Sequence, residues 1–319
     1  MATTASIDTV CCYGSGLIGS GWAAHFLRAG LSVRCFDPRP EAAGYLEDYI
    51  DRAWPTLERL GLGTGASRAN LSFTTDAAAA LNGVQFVQES AVEEEAQKIE
   101  ILAAIDRHLP ADVIIASSSS GFLAERLRAK CRHGGRVVIG HPFNPPFLVP
   151  LVEVVGGTGV AADAVARASA FYRRVGSHPV ELKSEITGYI GNRLQMAVWR
   201  EVMHMVEAGV ASVADIDDAM TYGPALRWAL AGPSHIFYLG ARNPELYPKF
   251  IELLVHELAT GFVAPPEFQV TPQLVERYVA EVRATWGDTD PDELRATRDG
   301  GLVALSEALA RLRGKERGS

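Results

Sequence analysis

The feature that most restricts this chain lies near its start. An apolar run, Ile7–Tyr13, passes directly into Gly14-Ser15-Gly16-Leu17-Ile18-Gly19, and a helical pattern then continues to a stop at Gly30. Glycines at this spacing have separate tasks: the first permits a tight turn, the second lets backbone approach a pyrophosphate, and the third lets helix and strand pack closely. Leu17 and Ile18 open the helix whose first N–H groups would face that anion. A second apolar run, Val33–Asp37, ends in a carboxylate 21 residues after Gly16, where it can accept hydrogen bonds from an adenosine ribose. Strand, loop, helix, strand and acid together predict a dinucleotide site. Asp37 would repel the 2′-phosphate of NADP, so NAD is the expected cofactor, although Arg39 could offer a counter-charge.

The pattern continues as short β-branched runs alternating with helical stretches, the mark of βαβ units. Further strands are predicted at Val84–Glu89, Val113–Ser117, Val137–His141, Leu151–Val155 and Val180–Leu182. Several are apolar throughout instead of alternating, as strands are when helices cover both faces of a sheet. Beyond Lys183 the strand signals fade into helical stretches broken at Gly209, Gly223-Pro224, Gly232-Pro233, Pro265-Pro266 and Gly287. The expected class is therefore α/β: a doubly wound Rossmann-type sheet over residues 1–185, followed by an all-helical domain over 186–319. A length of 319 residues is ample for two such domains.

Charge and cysteine content narrow the partners. Lysine and arginine number 30 against 38 acidic residues, a net charge of −8 with no basic run, which argues against nucleic acid. Cys11, Cys12 and Cys35 fall in apolar strand runs and Cys131 stands alone, so thiols are expected and no metal site. No apolar stretch approaches the ~18 residues that span a bilayer, and the first residues lack the pattern of a secretory signal. The expected setting is cytoplasmic, away from membranes.

Of eight histidines, His141 alone stands in an interpretable position. It ends a strand at the carboxyl edge of the sheet, where open α/β sheets build their sites, and leads into Pro142-Phe143-Asn144-Pro145. Glu153 lies 12 residues on in the next strand. A carboxylate there would hold the imidazole's tautomer and strengthen it as a base for an alcohol proton while hydride leaves the adjoining carbon. Ser120 closes a serine run at another strand end, and Asn192 sits in Gly188-Tyr189-Ile190-Gly191-Asn192-Arg193-Leu194. Either can hydrogen-bond a reacting oxygen, or serve merely as turn serine and capping asparagine.

These segments, with Gln88-Glu89-Ser90-Ala91-Val92-Glu93 and Leu151-Val152-Glu153-Val154-Val155, resemble the NAD-dependent L-3-hydroxyacyl-CoA dehydrogenase superfamily, including its carnitine and gulonate (lambda-crystallin) branches. The resemblance spans nearly the whole chain. It implies that His141 is the catalytic base with Glu153 its partner, that Ser120 and Asn192 contact the substrate oxygen, and that Glu93, Lys98, Ser120 and Asn144 lie along the nicotinamide half of the cofactor. It also implies a homodimer formed through the helical domain. By itself Glu93-Glu94-Glu95 would read as a solvated acidic face.

The hydroxyacyl-CoA members resemble one another in a lysine-rich helical hairpin after the second strand. Here the stretch Pro38–Gly83 holds no lysine, and its four arginines meet six carboxylates for a net charge of −2. A negative surface receives nucleotide phosphates poorly, so a free small 3-hydroxy acid is favoured over a CoA thioester. Gly223-Pro224-Ala225-Leu226-Arg227-Trp228 is similar to the carnitine and gulonate branches. There Arg227 could hold a substrate carboxylate, or merely bridge helices, and Trp228 could face a quaternary ammonium. A non-catalytic, crystallin-like or cofactor-sensing role would leave His141, Glu153, Ser120 and Asn192 without a joint purpose.

Overall fold

Eight strands form a single sheet in a computed structural model of the chain, which describes residues 7–241 and 244–316. They are β1 (Thr9–Tyr13), β2 (Ser32–Phe36), β3 (Leu71–Thr74), β4 (Phe86–Glu89), β5 (Ile114–Ser117), β6 (Val137–Pro142), β7 (Leu151–Val155) and β8 (His178–Glu181). Their order in space is β3-β2-β1-β4-β5-β6-β7-β8. The chain winds outward from β1 in one direction and then, after β3, in the other, which leaves a crevice between the carboxyl ends of β1 and β4.

Six helices accompany the sheet: α1 (Leu17–Arg28), α2 (Ala42–Arg59), α3 (Ala77–Leu81), α4 (Glu95–His108), α5 (Ala124–Leu127) and α6 (Ala164–Arg174). Strand alternation sorts their partners. Val10 and Cys12 of β1 pack with Trp22 and Phe26 of α1 and Phe171 of α6, while Cys11 and Tyr13 pack with Leu102 and Ile105 of α4. Both faces are thus covered, and a fully buried side chain such as Trp22 or Phe26 contributes about 1.5–3 kcal/mol.

Two features depart from the sequence reading. Strand β3 carries no strong sequence signal, because Leu71-Ser72-Phe73-Thr74 is a four-residue edge strand with no fully buried side chain. And β7 runs antiparallel to β6, with His141 opposite Glu153 in the register. Eight residues separate these strands, too few for the crossover a parallel pair requires.

The remaining helices are α7 (Gly191–Glu207), α8 (Val213–Thr221), α9 (Pro224–Leu230), α10 (Pro233–Gly240), α11 (Tyr247–Ala259), α12 (Pro272–Trp286) and α13 (Pro291–Glu316). The chain divides into two compact units, one running through Asn192 and including Leu302–Glu307, the other comprising Arg193–Gly301 and the residues from Ala308. The second unit has a small core of Met203, Val206, Val213, Ile216 and Leu274. Proline opens α9 to α13 at or beside the first helical position, where its missing N–H costs nothing. Among the described residues, no helix is long and apolar enough to cross a membrane.

Candidate active site

The crevice between β1 and β4 opens into a cleft of about 650 Å³ bordered by Gly14, Gly16, Asp37, Arg39, Ser90 and Val92. Each glycine of the loop answers to its surroundings. Gly14 has φ +103°, and a Cβ there would lie 2.6 Å from the Ser90 carbonyl oxygen. A Cβ on Gly19 would lie 1.8 Å from the Gly14 carbonyl oxygen, so only glycine lets α1 start this close to the turn. A Cβ on Gly16 would meet nothing within 4 Å: that side of the backbone is open. Gly16 also caps α1 without any side-chain hydrogen bond, leaving the first N–H groups available to an anion. Leu17 is exposed and Ile18 half-buried on that first turn. These residues fit a dinucleotide pyrophosphate.

Asp37 follows β2 at the same edge, with Oδ2 accepting the Ser15 backbone N–H at 3.1 Å. Arg39 clasps the carboxylate in a fork, Nε to Oδ1 at 2.9 Å and Nη2 to Oδ2 at 3.1 Å. Burial alone would push the Asp37 carboxyl up, but the hydrogen bonds from Arg39 and Ser15 outweigh it and hold it below the ordinary carboxylate range.

Further along the edge a buried ammonium is enclosed by acids. Lys98, its side chain 1% exposed, lies 2.8 Å from Glu89 Oε1 and 3.2 Å from Glu93 Oε2. Glu93 Oε1 accepts from Ser119 Oγ at 2.8 Å, Ser120 N at 2.8 Å and Ser120 Oγ at 3.3 Å. Burial would raise the Glu93 carboxyl, yet the Lys98 charge and these hydrogen bonds hold it low. Glu94 caps α4, accepting from Ala96 N and Gln97 N at 3.1 and 2.9 Å. The acidic run is therefore a cap and an ion-pair partner, and not simply a solvated face.

Near the end of β6 and opposite the middle of β7, His141 Nδ1 lies 2.9 Å from Glu153 Oε2, and both side chains are buried. The other Glu153 oxygen accepts the backbone N–H groups of Ile190 and Gly191 at 2.8 and 2.9 Å, where α7 begins. Burial would raise the Glu153 carboxyl, but His141 and these two N–H groups hold it below the usual value. The carboxylate thus stays ionised and accepts the Nδ1–H, so Nε2 is the ring nitrogen it does not engage. The imidazole stands between the rings of Phe143 and Tyr189, with centroids 5.2 and 5.3 Å away.

A polar network stiffens this edge. Gln88 accepts from Tyr172 OH at 2.6 Å and donates to Ser118 Oγ at 2.8 Å and to the Gly140 carbonyl at 3.2 Å. Ser118 Oγ also takes the Trp22 indole N–H at 3.2 Å and lies 2.8 Å from Ser90 Oγ. Carboxyl ends of β4, β5 and β6 are thereby tied together beside the glycine loop.

Of the residues singled out in the sequence, His141 and Glu153 form one pair, and Ser120, Glu93 and Lys98 another cluster. Asn192 Nδ2 lies 3.5 Å from the Ser120 carbonyl oxygen, while Asn144 is exposed on the turn after β6. Arg227 and Trp228 are exposed on α9 in the second unit. Sequence reasoning missed Glu89, whose acidity had no legible purpose inside a buried strand, and Tyr189. Tyr189 holds φ +48°, is fully buried, and donates to the Phe122 carbonyl at 2.7 Å. Its place between two glycines was the only available signal.

Residues 9–185 match the 3-hydroxyacyl-CoA dehydrogenase NAD binding domain and residues 188–245 the C-terminal domain of the same enzymes. The chain belongs to the 3-hydroxyacyl-CoA dehydrogenase family and is an NAD-dependent oxidoreductase acting on a CH–OH group. It is 43% identical over 307 residues to an L-carnitine dehydrogenase of Nocardiopsis dassonvillei, covering 96% of this chain and 93% of that one. To an L-carnitine dehydrogenase of Streptomyces coelicolor it is 40% identical, covering 98% of each. Among solved structures it is similar to 5-formyl-3-hydroxy-2-methylpyridine 4-carboxylic acid 5-dehydrogenase, an NAD+-dependent dismutase. The TM-score is 0.82 and the identity 27%, over 95% of this chain and 99% of that one.

Proposed function

We propose that the protein oxidises the 3-hydroxyl of a small, free L-3-hydroxy acid, with L-carnitine as the substrate class, to the 3-oxo acid. The observation that carries this reading is the near full-length similarity to L-carnitine dehydrogenases. The segment after β2 supports it. Pro38–Gly83 has no lysine, and three of its four arginines are already committed: Arg39 to Asp37, Arg59 to Glu307 and Arg68 to Asp51. It contains one long helix, α2, instead of a hairpin of two. A CoA nucleotide would find no array of free cations there.

Gly14, Gly16, Leu17, Ile18 and Gly19 hold the pyrophosphate in this reading and Asp37 the ribose, with Glu93, Lys98 and Asn144 along the nicotinamide half. NAD, when bound, supplies the hydride acceptor. The chain's own share is the proton and the oxygen. His141 Nε2 takes the hydroxyl proton, and Glu153, already ionised, offsets the positive charge that develops on the ring. Ser120 and Asn192 donate to the substrate oxygen and favour its growing negative charge. In the reverse direction the same nitrogen returns the proton. Arg227 holds the substrate carboxylate by a two-bonded fork, and the face of Trp228 receives the quaternary ammonium. Residues 1–185 act as the NAD-binding domain and 186–319 as the substrate and dimerisation domain. Buried thiols at Cys11, Cys12 and Cys35 suit a reducing, cytoplasmic setting.

A second copy of the chain is the proposed partner of the helical unit. Helices α9, α10 and α11 bury no residue, and Leu230, Leu239, Leu253 and Leu258 are each more than half exposed. Sedimentation at twice the chain mass is expected at micromolar concentration, and a monomer there rejects the dimer.

NADH formation at alkaline pH with L-carnitine, L-gulonate, L-3-hydroxybutyrate and 3-hydroxybutyryl-CoA tests the substrate. The expected result is kcat/KM for L-carnitine at least about tenfold above the others, equivalent to about 1.4 kcal/mol of transition-state binding. Preference for the thioester, or competition by free coenzyme A, would overturn the free-acid reading.

A further inference from the structure

A fully buried amide beside the His141–Glu153 pair takes no part in the chemistry itself. Strand β5 pairs with β6 no further than Ser117 opposite Ile139, so the Gly140 carbonyl lies past the end of that ladder. Its partner comes from the strand beyond. Gln88 of β4 passes across β5, where it stands opposite Ala116, and donates Nε2–H to the Gly140 oxygen at 3.2 Å. The surroundings fix the direction of this amide. A backbone carbonyl only accepts, so the nitrogen must face Gly140, and Oε1 takes the Tyr172 hydroxyl proton at 2.6 Å. The second Nε2–H goes to Ser118 Oγ at 2.8 Å, whose other lone pair receives the Trp22 indole N–H at 3.2 Å. Ser118 therefore gives its own proton to Ser90 Oγ, 2.8 Å away. Every polar atom of Gln88 is committed, and a flipped amide would set its oxygen against the Gly140 oxygen. A Cβ on Gly140 would fall 1.9 Å from the Tyr172 hydroxyl oxygen, so a side chain at 140 would collide with the phenol that orients Gln88.

We propose that Gln88 is a positioning residue for the hydroxyl-proton transfer: by holding the Gly140 carbonyl it fixes the peptide plane from which His141 hangs, and with it the place of the imidazole. The inference rests on His141 being the base. The Gly140 carbonyl and the His141 N–H belong to one planar peptide unit, so restraining the oxygen restrains the histidine backbone. On its other side His141 is held by the β7 ladder and by Glu153. On the β5 side the amide takes over where the strand has ended. Without it, β6 would be restrained on one edge alone at the residue before the base, and a buried carbonyl would lose its partner. A proton acceptor displaced by about 1 Å loses on the order of 100-fold in rate, whereas the dinucleotide cleft, built from other strand ends, keeps its shape.

The test compares Gln88→Met, Gln88→Glu and Phe86→Leu with the parent, using whichever of L-carnitine, L-gulonate, L-3-hydroxybutyrate and 3-hydroxybutyryl-CoA is turned over fastest. Turnover is expressed per NADH-binding site, which removes unfolded chains from the comparison. Gln88→Met keeps the length and loses every hydrogen bond, while Gln88→Glu keeps the acceptor for Tyr172 and, when protonated, one donor. Phe86→Leu loosens the core two residues earlier in β4 without touching a polar bond. In Gln88→Met kcat per site is expected to fall at least about tenfold, with Gln88→Glu between, while KM and the NADH Kd stay within about threefold. Phe86→Leu should keep kcat within about twofold. A readout independent of turnover is solvent exchange of the His141 Nδ1 proton, followed by NMR in histidine-labelled chains and assigned by its loss in His141→Ala. It is expected to be at least about threefold faster in Gln88→Met, and it alone decides if all four compounds are silent. A kcat loss under about fivefold, a loss seen instead in KM or the NADH Kd, an equal loss in Phe86→Leu, or unchanged exchange overturns the proposal. So does failure of both Gln88 variants to bind NADH, which would make the amide a folding element only. Unchanged turnover in His141→Ala would remove the base itself, whereas a slow His141→Ala beside fast Gln88 variants would remove this positioning role alone.

Discussion

His141→Ala is expected to lower turnover of the best hydroxy acid by about 10²–10⁴-fold while leaving the NADH Kd within about twofold. The two readouts separate because the imidazole and the dinucleotide cleft are built from different strand ends. His141 closes β6, whereas the cleft is bordered by the loop after β1, by Asp37 and by the turn after β4. Folding should survive the substitution. Glu153 loses one partner but keeps the N–H groups of Ile190 and Gly191 on its other oxygen, so the buried carboxylate is not stranded. His141→Gln, which retains a donor toward Glu153, controls for the lost hydrogen bond and should be as slow as the alanine variant. Unchanged turnover in both would place the proton acceptor elsewhere in the chain.

The second large effect falls on the loop. Gly19→Ala is expected to weaken NADH binding by at least about 100-fold and to destabilise the free protein by about 1–3 kcal/mol, read as a lower urea midpoint. The added Cβ would meet the Gly14 carbonyl at 1.8 Å, and a backbone oxygen cannot step aside as a flexible side chain would. Gly16→Ala makes the contrast. Its Cβ enters open space, so the free protein should keep its midpoint while NADH affinity falls, since the methyl occupies the approach of the pyrophosphate. Equal midpoints for Gly19→Ala and the parent would show that the turn relaxes more easily than this packing implies.

Reading the chain forward worked best where one residue's identity answers to backbone geometry. Gly14, with φ +103°, and Gly19, against the Gly14 carbonyl, are such positions, and their spacing alone announced the turn. The pairing of His141 and Glu153 was legible for a related reason: His141 ends one short apolar run and Glu153 lies inside the next, with a connection too brief for a helix between them. The same short connection requires β7 to run antiparallel to β6. Glu89 and Tyr189 were illegible. The acidic character of Glu89 has meaning only once Lys98 and Ser117 meet it inside the sheet, and nothing in its neighbours along the chain supplies them. Tyr189 reads as one more apolar position until its left-handed backbone and its contact with the His141 ring are seen.

By itself the sequence determined the alternation of strand and helix, the glycine turn, the acid at the end of β2 and the change to an all-helical second half, because each rests on local backbone sterics and hydrophobic periodicity. The tertiary structure alone decided how the remaining charges are partnered. Lys98 between Glu89 and Glu93, and the second Glu153 oxygen on the N–H groups at the start of α7, are placed by strand order and by where α4 and α7 leave the sheet. Residues 5 to 38 positions apart in the chain become neighbours there because the sheet brings these groups to one edge, where burial weakens solvent screening and makes each partner count.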